Sequence, residues 1–104
     1  MNTEFHMCPK YEKLSAFLGK RWTTLILRVL LEGEYRFSEI LETVPGLSSR
    51  LLTERLKEME EMGLVLREVR HEYPIKVEYT LTQKGKDLEP IINEMQTYAD
   101  QWIE

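Results

Sequence analysis

The feature that most constrains this chain is a change of apolar period along its length. Up to Gly63 the apolar residues recur at helical spacing; from Leu64 to Thr82 they alternate; beyond Gln83 helical spacing returns. Pro9 suits a first helical turn, where its missing N–H has no partner to lose. Tyr11, Leu14, Phe17 and Leu18 then share one side of a helix that Gly19 ends. Trp22, Leu25, Ile26, Val29 and Leu30 stand at i, i+3, i+4, i+7 and i+8, the stripe of a core-facing helix that Gly33 stops. Ser38 can cap a short third helix, 39 to about 43, that buries Ile40 and Leu41. Val44-Pro45-Gly46 is a turn by composition. Ser48 or Ser49 can cap a fourth helix running to about residue 62, with Leu52, Leu56 and Met59 on one side and Gly63 closing it.

Residues 64–70 and 76–82 are expected as strands, the second with Val77, Tyr79 and Leu81 inward, joined by an open loop at 71–75. A two-stranded hairpin is marginal alone, so it must pack on the helices. The last helix is expected from about 83 to 103, with Pro90 either kinking it or marking its true start. Leu88, Ile92, Met95, Ala99 and Trp102 follow at spacings of 4, 3, 4 and 3, a heptad seam that Ile91 and Tyr98 widen.

At 104 residues, 1–104 is expected to be one unit with one modest core. Apolar residues at 42% and charged residues at 31% fit a globular chain and exclude a disordered tail or fibre. No apolar run approaches the roughly 20 residues of a membrane span. The opening Met1-Asn2-Thr3-Glu4-Phe5-His6 lacks the basic-then-apolar order of a secretory leader. The one cysteine, Cys8, cannot close a disulfide within the chain, which points to a reducing cytoplasm. Two histidines and one thiol do not make a metal cage. The sequence contains no phosphate-binding glycine loop, nucleophile elbow or hydrolytic triad, so no catalytic residues, metal or cofactor are expected.

The net charge of −4 argues against a polyanion partner until it is divided. Residues 1–57 carry nine Lys/Arg and seven Asp/Glu, net +2; residues 58–104 carry five and eleven, net −6. Exposed charges act over about 8–10 Å at ordinary salt, so the two halves can face different partners.

The order of elements is that of a mainly α winged helix-turn-helix with a small β-hairpin and a flanking helix at each end. The helix-turn-helix spans 38–62, the wing 64–82 and a dimerisation helix 83–103. The second helix of such a motif enters the major groove of DNA. Arg50, Thr53 and Lys57 lie on its side opposite Leu52, Leu56 and Met59, while Ser48 and Ser49 occupy the tip, where free N–H groups favour a phosphate. Arg50 suits guanine and Thr53 a thymine methyl. The ordinary alternatives are a helix cap for the serines and a solvated face for Arg50 and Lys57. Arg55 points to the apolar side and is expected to pair with an acid there. Arg70, His71 and Lys76 flank the wing tip and can reach phosphate, as can Arg36 and Ser38 at the start of the third helix.

Several segments together resemble the HxlR-type winged-helix regulators of bacteria: Cys8-Pro9, Gly19-Lys20-Arg21-Trp22-Thr23, Arg36-Phe37-Ser38-Glu39-Ile40, Pro45-Gly46-Leu47-Ser48, Leu52 to Glu60 and Val77 to Thr82. The resemblance implies a homodimeric transcription factor on a pseudo-palindromic operator, with the first and last helices forming the dimer interface. The residues expected there are Tyr11, Leu14, Leu88, Ile91, Ile92, Met95, Tyr98, Ala99 and Trp102. A stripe of that size independently marks an interaction surface. The resemblance also implies that a cysteine placed like Cys8 can sense oxidants, quinones or aldehydes. Cys8 lies at a helix start with Lys10 and Lys13 nearby, a setting that favours thiol reactivity; the alternative is an unreactive, partly buried thiol. The partners expected are double-stranded DNA, a second copy of the chain and an electrophile or other small effector. The competing reading is a winged-helix module that binds only protein.

Overall fold

In the computed structural model, residues 4–33 and 35–104 are described. Residues 1–3, part of the segment read above for a leader, and residue 34 lie outside the described residues. The element order is α1 (Pro9–Leu18), α2 (Thr23–Leu30), β1 (Tyr35–Arg36), α3 (Phe37–Thr43), α4 (Ser49–Glu61), β2 (Val65–Arg70), β3 (Lys76–Leu81), α5 (Gln83–Lys86) and α6 (Glu89–Trp102).

Helix α2 runs through the middle because it is apolar on nearly every side: Ile26, Leu27, Val29 and Leu30 are all buried. Its expected stripe is displaced. Leu25, predicted inward, is 51% exposed, and Leu27, which the stripe left out, is wholly buried. Trp22 does not join the helix either. It is the residue before it, in the left-handed region at φ 79°, and its half-buried ring packs against the core.

Helix α3 begins two residues earlier than its expected serine cap allowed. Arg36 is the cap residue, and the Glu39 side chain accepts from the Arg36 N–H at 2.8 Å; Ser38 sits exposed in the first turn. Glutamate at this third helical position returns to satisfy an N–H that would otherwise lack a partner. The turn to α4 buries Val44 and Leu47, and Gly46 takes φ 82°, where a side chain would be strained. A Cβ on Gly46 would also stand 3.3 Å from the Trp22 ring. Ser48 then caps α4, its Oγ accepting from the Leu51 N–H at 3.1 Å. Such a cap contributes about 1 kcal/mol. Leu52, Leu56 and Met59 lie on the core side, exposed by 1% or less.

The two expected strands form an antiparallel ladder in register from Val65↔Leu81 to Arg70↔Lys76. Tyr79 and Leu81 are buried and Val77 half-buried, as the alternation requires. A strand not expected from the sequence, β1, pairs with β3 through Tyr35↔Tyr79 and Arg36↔Glu78, giving the sheet order β1-β3-β2. Two residues are too short to display a period.

The expected single C-terminal helix is two. Helix α5 is one turn, capped by Thr82, whose Oγ1 accepts from the Gly85 N–H at 3.2 Å and donates to the Gly63 carbonyl at 2.6 Å. Lys84 Nζ donates to the Met62 carbonyl at 2.6 Å, so α5 satisfies carbonyls left open where α4 ends. Gly85 lies so close to the chain that a Cβ would stand 2.3 Å from the Leu64 carbonyl oxygen. Pro90 occupies the first turn of α6, which makes it a helix start and not a kink. Helix α6 commits Ile92 to the core and leaves Met95, Tyr98 and Trp102 exposed. No helix among the described residues is long and apolar enough to cross a membrane.

Candidate nucleic-acid interface

Helix α4 is held from behind by the core and at both ends by hydrogen bonds, so its outer face is presented on a rigid support. Arg50, Thr53 and Lys57 are all exposed on that face. The Thr53 hydroxyl donates to the Ser49 carbonyl at 2.8 Å, which leaves the methyl group as the uncommitted part of the side chain. Arg50 stands 3.4 Å from Glu54, with 89% of its side chain in solvent. An i,i+4 pair this exposed is worth about 0.3–0.5 kcal/mol, too little to hold the guanidinium from a better acceptor. Ser49 is exposed beside the capping Ser48, and Arg36 and Ser38 are exposed at the start of α3.

The opposite flank of α4 is tied to the turn between α1 and α2. Glu58 forms an ion pair with Lys20, and Arg55 Nε donates to the Arg21 carbonyl at 3.0 Å. Arg55 is thus structural, but its recorded partner is a backbone carbonyl and not the expected acid. The Arg21 guanidinium lies 4.6 Å from the centre of the Trp22 ring. A cation over an aromatic face is attracted to it, so this turn forms a firm seat for α4.

Both bases that flank the wing tip have an acid beside them. Arg70 is 3.4 Å from Glu78, and Lys76 is 3.4 Å from Glu72. His71 is exposed at the tip. Sequence reasoning passed over Arg67. It is exposed on β2, two residues from buried Val65 and so on the same face, and it has no ion pair among the described residues.

The expected dimer residues separate by burial into three groups. Ile92 is 4% exposed and packs inside the protomer, so it is not available to a partner. Leu14 and Leu88 are partly buried against the core, and Ala99 is half-buried. Tyr11, Ile91, Met95, Tyr98 and Trp102 remain exposed, and Leu25 joins them. Met95 sits at the centre of this surface: it lines a groove with Tyr11, Leu14 and Leu18, a hollow with Pro90 and Tyr98, and another with Leu25 and Ala99.

Cys8 is an exposed free thiol at the cap position of α1, and its carbonyl accepts from the Glu12 N–H at 3.0 Å. Phe5, His6, Met7 and Tyr11 form an open hollow around it. Among the described residues no three His, Cys, Asp or Glu side chains group as a metal site would require.

Comparison with known proteins agrees with this architecture. The HxlR-like helix-turn-helix family model matches residues 17–104. The HTH-type transcriptional regulator YodB of Bacillus subtilis (strain 168) is 52% identical over 98 residues, 94% of this chain and 88% of that protein. The reduced form of YodB has a TM-score of 0.83 at 52% identity, over 95% of this chain and 97% of that one. Its quinone-bound form has a TM-score of 0.79 at 49% identity, over 92% and 100%. The redox regulator HypR in its oxidized form has a TM-score of 0.86 at 36% identity, over 93% and 99%. With the helix-turn-helix, the sheet and the flanking helices all in place, this chain belongs to the HxlR-like helix-turn-helix family.

Proposed function

We propose that this chain is a homodimeric, sequence-specific DNA-binding transcriptional regulator of the cytoplasm, a repressor that a thiol-reactive signal releases from a pseudo-palindromic operator. One observation carries the reading: Arg50, Thr53 and Lys57 are all exposed on the outer face of a capped helix whose other face is buried. Arg50 reads a base edge, Thr53 offers a methyl group to thymine, and Lys57 meets phosphate. The exposed apolar surface around Met95 joins two copies about a two-fold axis, placing the two α4 helices in successive major grooves about 34 Å apart. The five acids from Asp87 onward then belong to the dimer end of the molecule, away from the duplex.

Salt separates this reading from a module that binds only protein. Duplex affinity is expected to fall steeply between about 50 and 200 mM salt, because each phosphate contact releases a counterion. No duplex binding even at low salt leaves the protein-only reading standing instead.

The similarity to quinone-bound YodB and to the redox regulator HypR in its oxidized form supports Cys8 as the point of signal entry. With a quinone, the Cys8 sulfur adds to a ring carbon and forms one S–C bond. The thiol proton goes to water, and the displaced ring electron pair collects on one carbonyl oxygen, which takes a proton. Loss of the ring C–H proton at the attacked carbon then sends a second pair to the other oxygen, which is protonated in turn, leaving a hydroquinone thioether. With an oxidant, the lone thiol of each chain can pair only with a second chain or a small thiol. Cys8→Ser is expected to abolish release by quinone or diamide and leave DNA affinity within about twofold, since no hydrogen bond of α1 uses the side chain. Release of the Cys8→Ser protein by the same reagents removes Cys8 from the account.

A further inference from the structure

Resting on the DNA-binding reading above, we propose that Lys20, Arg55 and Glu58 are positioning residues for the outer face of α4. They fix the angle of that helix against the α1–α2 turn and so set its selectivity for one DNA sequence. None of the three lies on the reading face. Arg55 and Glu58 stand about one helical turn apart, on the flank between the outer face and the buried side. Both reach the same turn: Arg55 Nε donates to the Arg21 carbonyl at 3.0 Å, and Glu58 pairs with Lys20. The turn also meets the entry to α4, because the Trp22 ring lies close to Gly46, just before the Ser48 cap. The helix is thus supported at its start and again past its middle by consecutive residues of one turn.

That turn is built as a fixed point. Trp22 holds φ 79°, a region that a bulky side chain enters only where its surroundings compel it. Here the Arg21 guanidinium lies 4.6 Å from the ring centre, the Ile26 N–H donates to the Trp22 carbonyl at 2.9 Å, and the Thr23 N–H donates to the Lys20 carbonyl at 3.2 Å. The Lys20–Glu58 pair differs in kind from Arg50–Glu54. It joins two elements and not two residues of one helix, and the Glu58 side chain is 26% exposed against 50% for Glu54. Glu58 Oε1 is buried with no hydrogen-bond partner among the described residues, as are Trp22 Nε1 and Thr23 Oγ1 on the turn itself. Without Lys20, α4 must shift to bring that poorly hydrated carboxylate to water. A small shift matters. Arg50 lies about 10 Å along the helix from these anchors at the usual rise per residue, so a tilt of about 10° displaces its root by about 2 Å. Forked hydrogen bonding to guanine tolerates much less.

The test uses the full chain, a duplex selected by it from a random-sequence pool and one of unrelated sequence, with affinity measured at several salt concentrations. Glu58→Lys separates position from charge, because the two predict opposite signs. Added positive charge alone would tighten binding to every duplex. A displaced helix instead weakens binding to the selected duplex about tenfold, within the range for losing one base contact, while the unrelated duplex holds or gains. Glu58→Gln, which keeps the shape of the side chain, repeats the sign test with a loss of about threefold should Glu58→Lys fail to fold. The double variant Lys20→Glu with Glu58→Lys, which reverses the pair, is expected to return to within about threefold of the parent affinity. Arg55→Met keeps the stem and loses the hydrogen bond. It weakens the selected duplex about tenfold with the slope of log affinity against log salt unchanged, whereas a lost phosphate contact lowers that slope by about one. Glu58 variants that bind the selected duplex as tightly as the parent, a reversed pair no better than Glu58→Lys, or a slope lowered by one in Arg55→Met overturn the positioning role and leave DNA binding intact. A parent chain that selects no duplex from the pool overturns both this inference and the reading it rests on.

Discussion

Met95→Glu is expected to give a folded single chain that binds its operator about a hundredfold more weakly or worse. Met95 is 49% exposed and borders each hollow of the apolar surface formed by α1, α2 and α6. Burying a carboxylate there without a partner costs several kcal/mol on each side of a two-fold contact, more than a small interface can offset. The substitution leaves the protomer core alone, because Ile92 and not Met95 docks α6. Thermal stability therefore changes mainly through loss of the partner copy, and a Tm that no longer depends on protein concentration is its sign. The DNA effect follows from linkage: two joined half-site contacts exceed one by about 10²–10⁴ in affinity. Sedimentation of the variant at micromolar concentration checks the mass, and titration with the selected duplex checks the affinity. A Met95→Glu protein that sediments as a dimer places the interface elsewhere.

The parts of the fold legible in the sequence are those whose apolar residues keep one period long enough to be read. Helix α1 has the expected bounds, and α4 has its expected cap, buried side and outer face. The β2–β3 ladder follows the expected alternation. Helix α2 was harder because Thr23-Thr24-Leu25-Ile26-Leu27 is apolar almost all round, so several stripes fit and the tertiary surroundings chose among them. Leu25 faces the side of Met95, and Leu27 fills the core. Strand β1 owes its existence to β3, which supplies its hydrogen bonds from more than 40 residues away in sequence. No local signal can announce it.

The candidate site divides along similar lines. The outer face of α4 was legible because helical geometry fixes which residues oppose Leu52, Leu56 and Met59. The wing was not, because its free charge depends on pairing. Arg70 and Lys76 look available in one dimension but lie 3.4 Å from Glu78 and Glu72 in three, while Arg67 looks ordinary and stands without an acid. Glu78 is opposite Glu68 in the ladder, and the diagonal approach of Arg70 relieves that like-charge pair. The pairing of Arg55 with a backbone carbonyl on the α1–α2 turn was equally hidden, since its partner is 34 positions away.

The second large effect concerns Arg50. Its side chain is 89% in solvent, fixed at its root by the first turn of α4 and restrained only by an exposed contact with Glu54. A bidentate contact with guanine would replace that weak pair by two charge-assisted hydrogen bonds. Losing such a contact costs about 1–3 kcal/mol, a factor of about 5–150, and the loss falls on the cognate base only. A phosphate contact behaves differently, weakening every duplex alike. Arg50→Ala removes no core contact and spares the Ser48 cap, so the protein itself stays folded.

The decisive measurement is therefore the affinity of the parent chain and of Arg50→Ala for two duplexes, one selected by the parent chain and one of unrelated sequence. The expected result is a loss of about 5–150-fold on the selected duplex with little change on the unrelated one, so that the two affinities converge. Equal affinities of the two proteins for the selected duplex would contradict the claim that the outer face of α4 reads DNA.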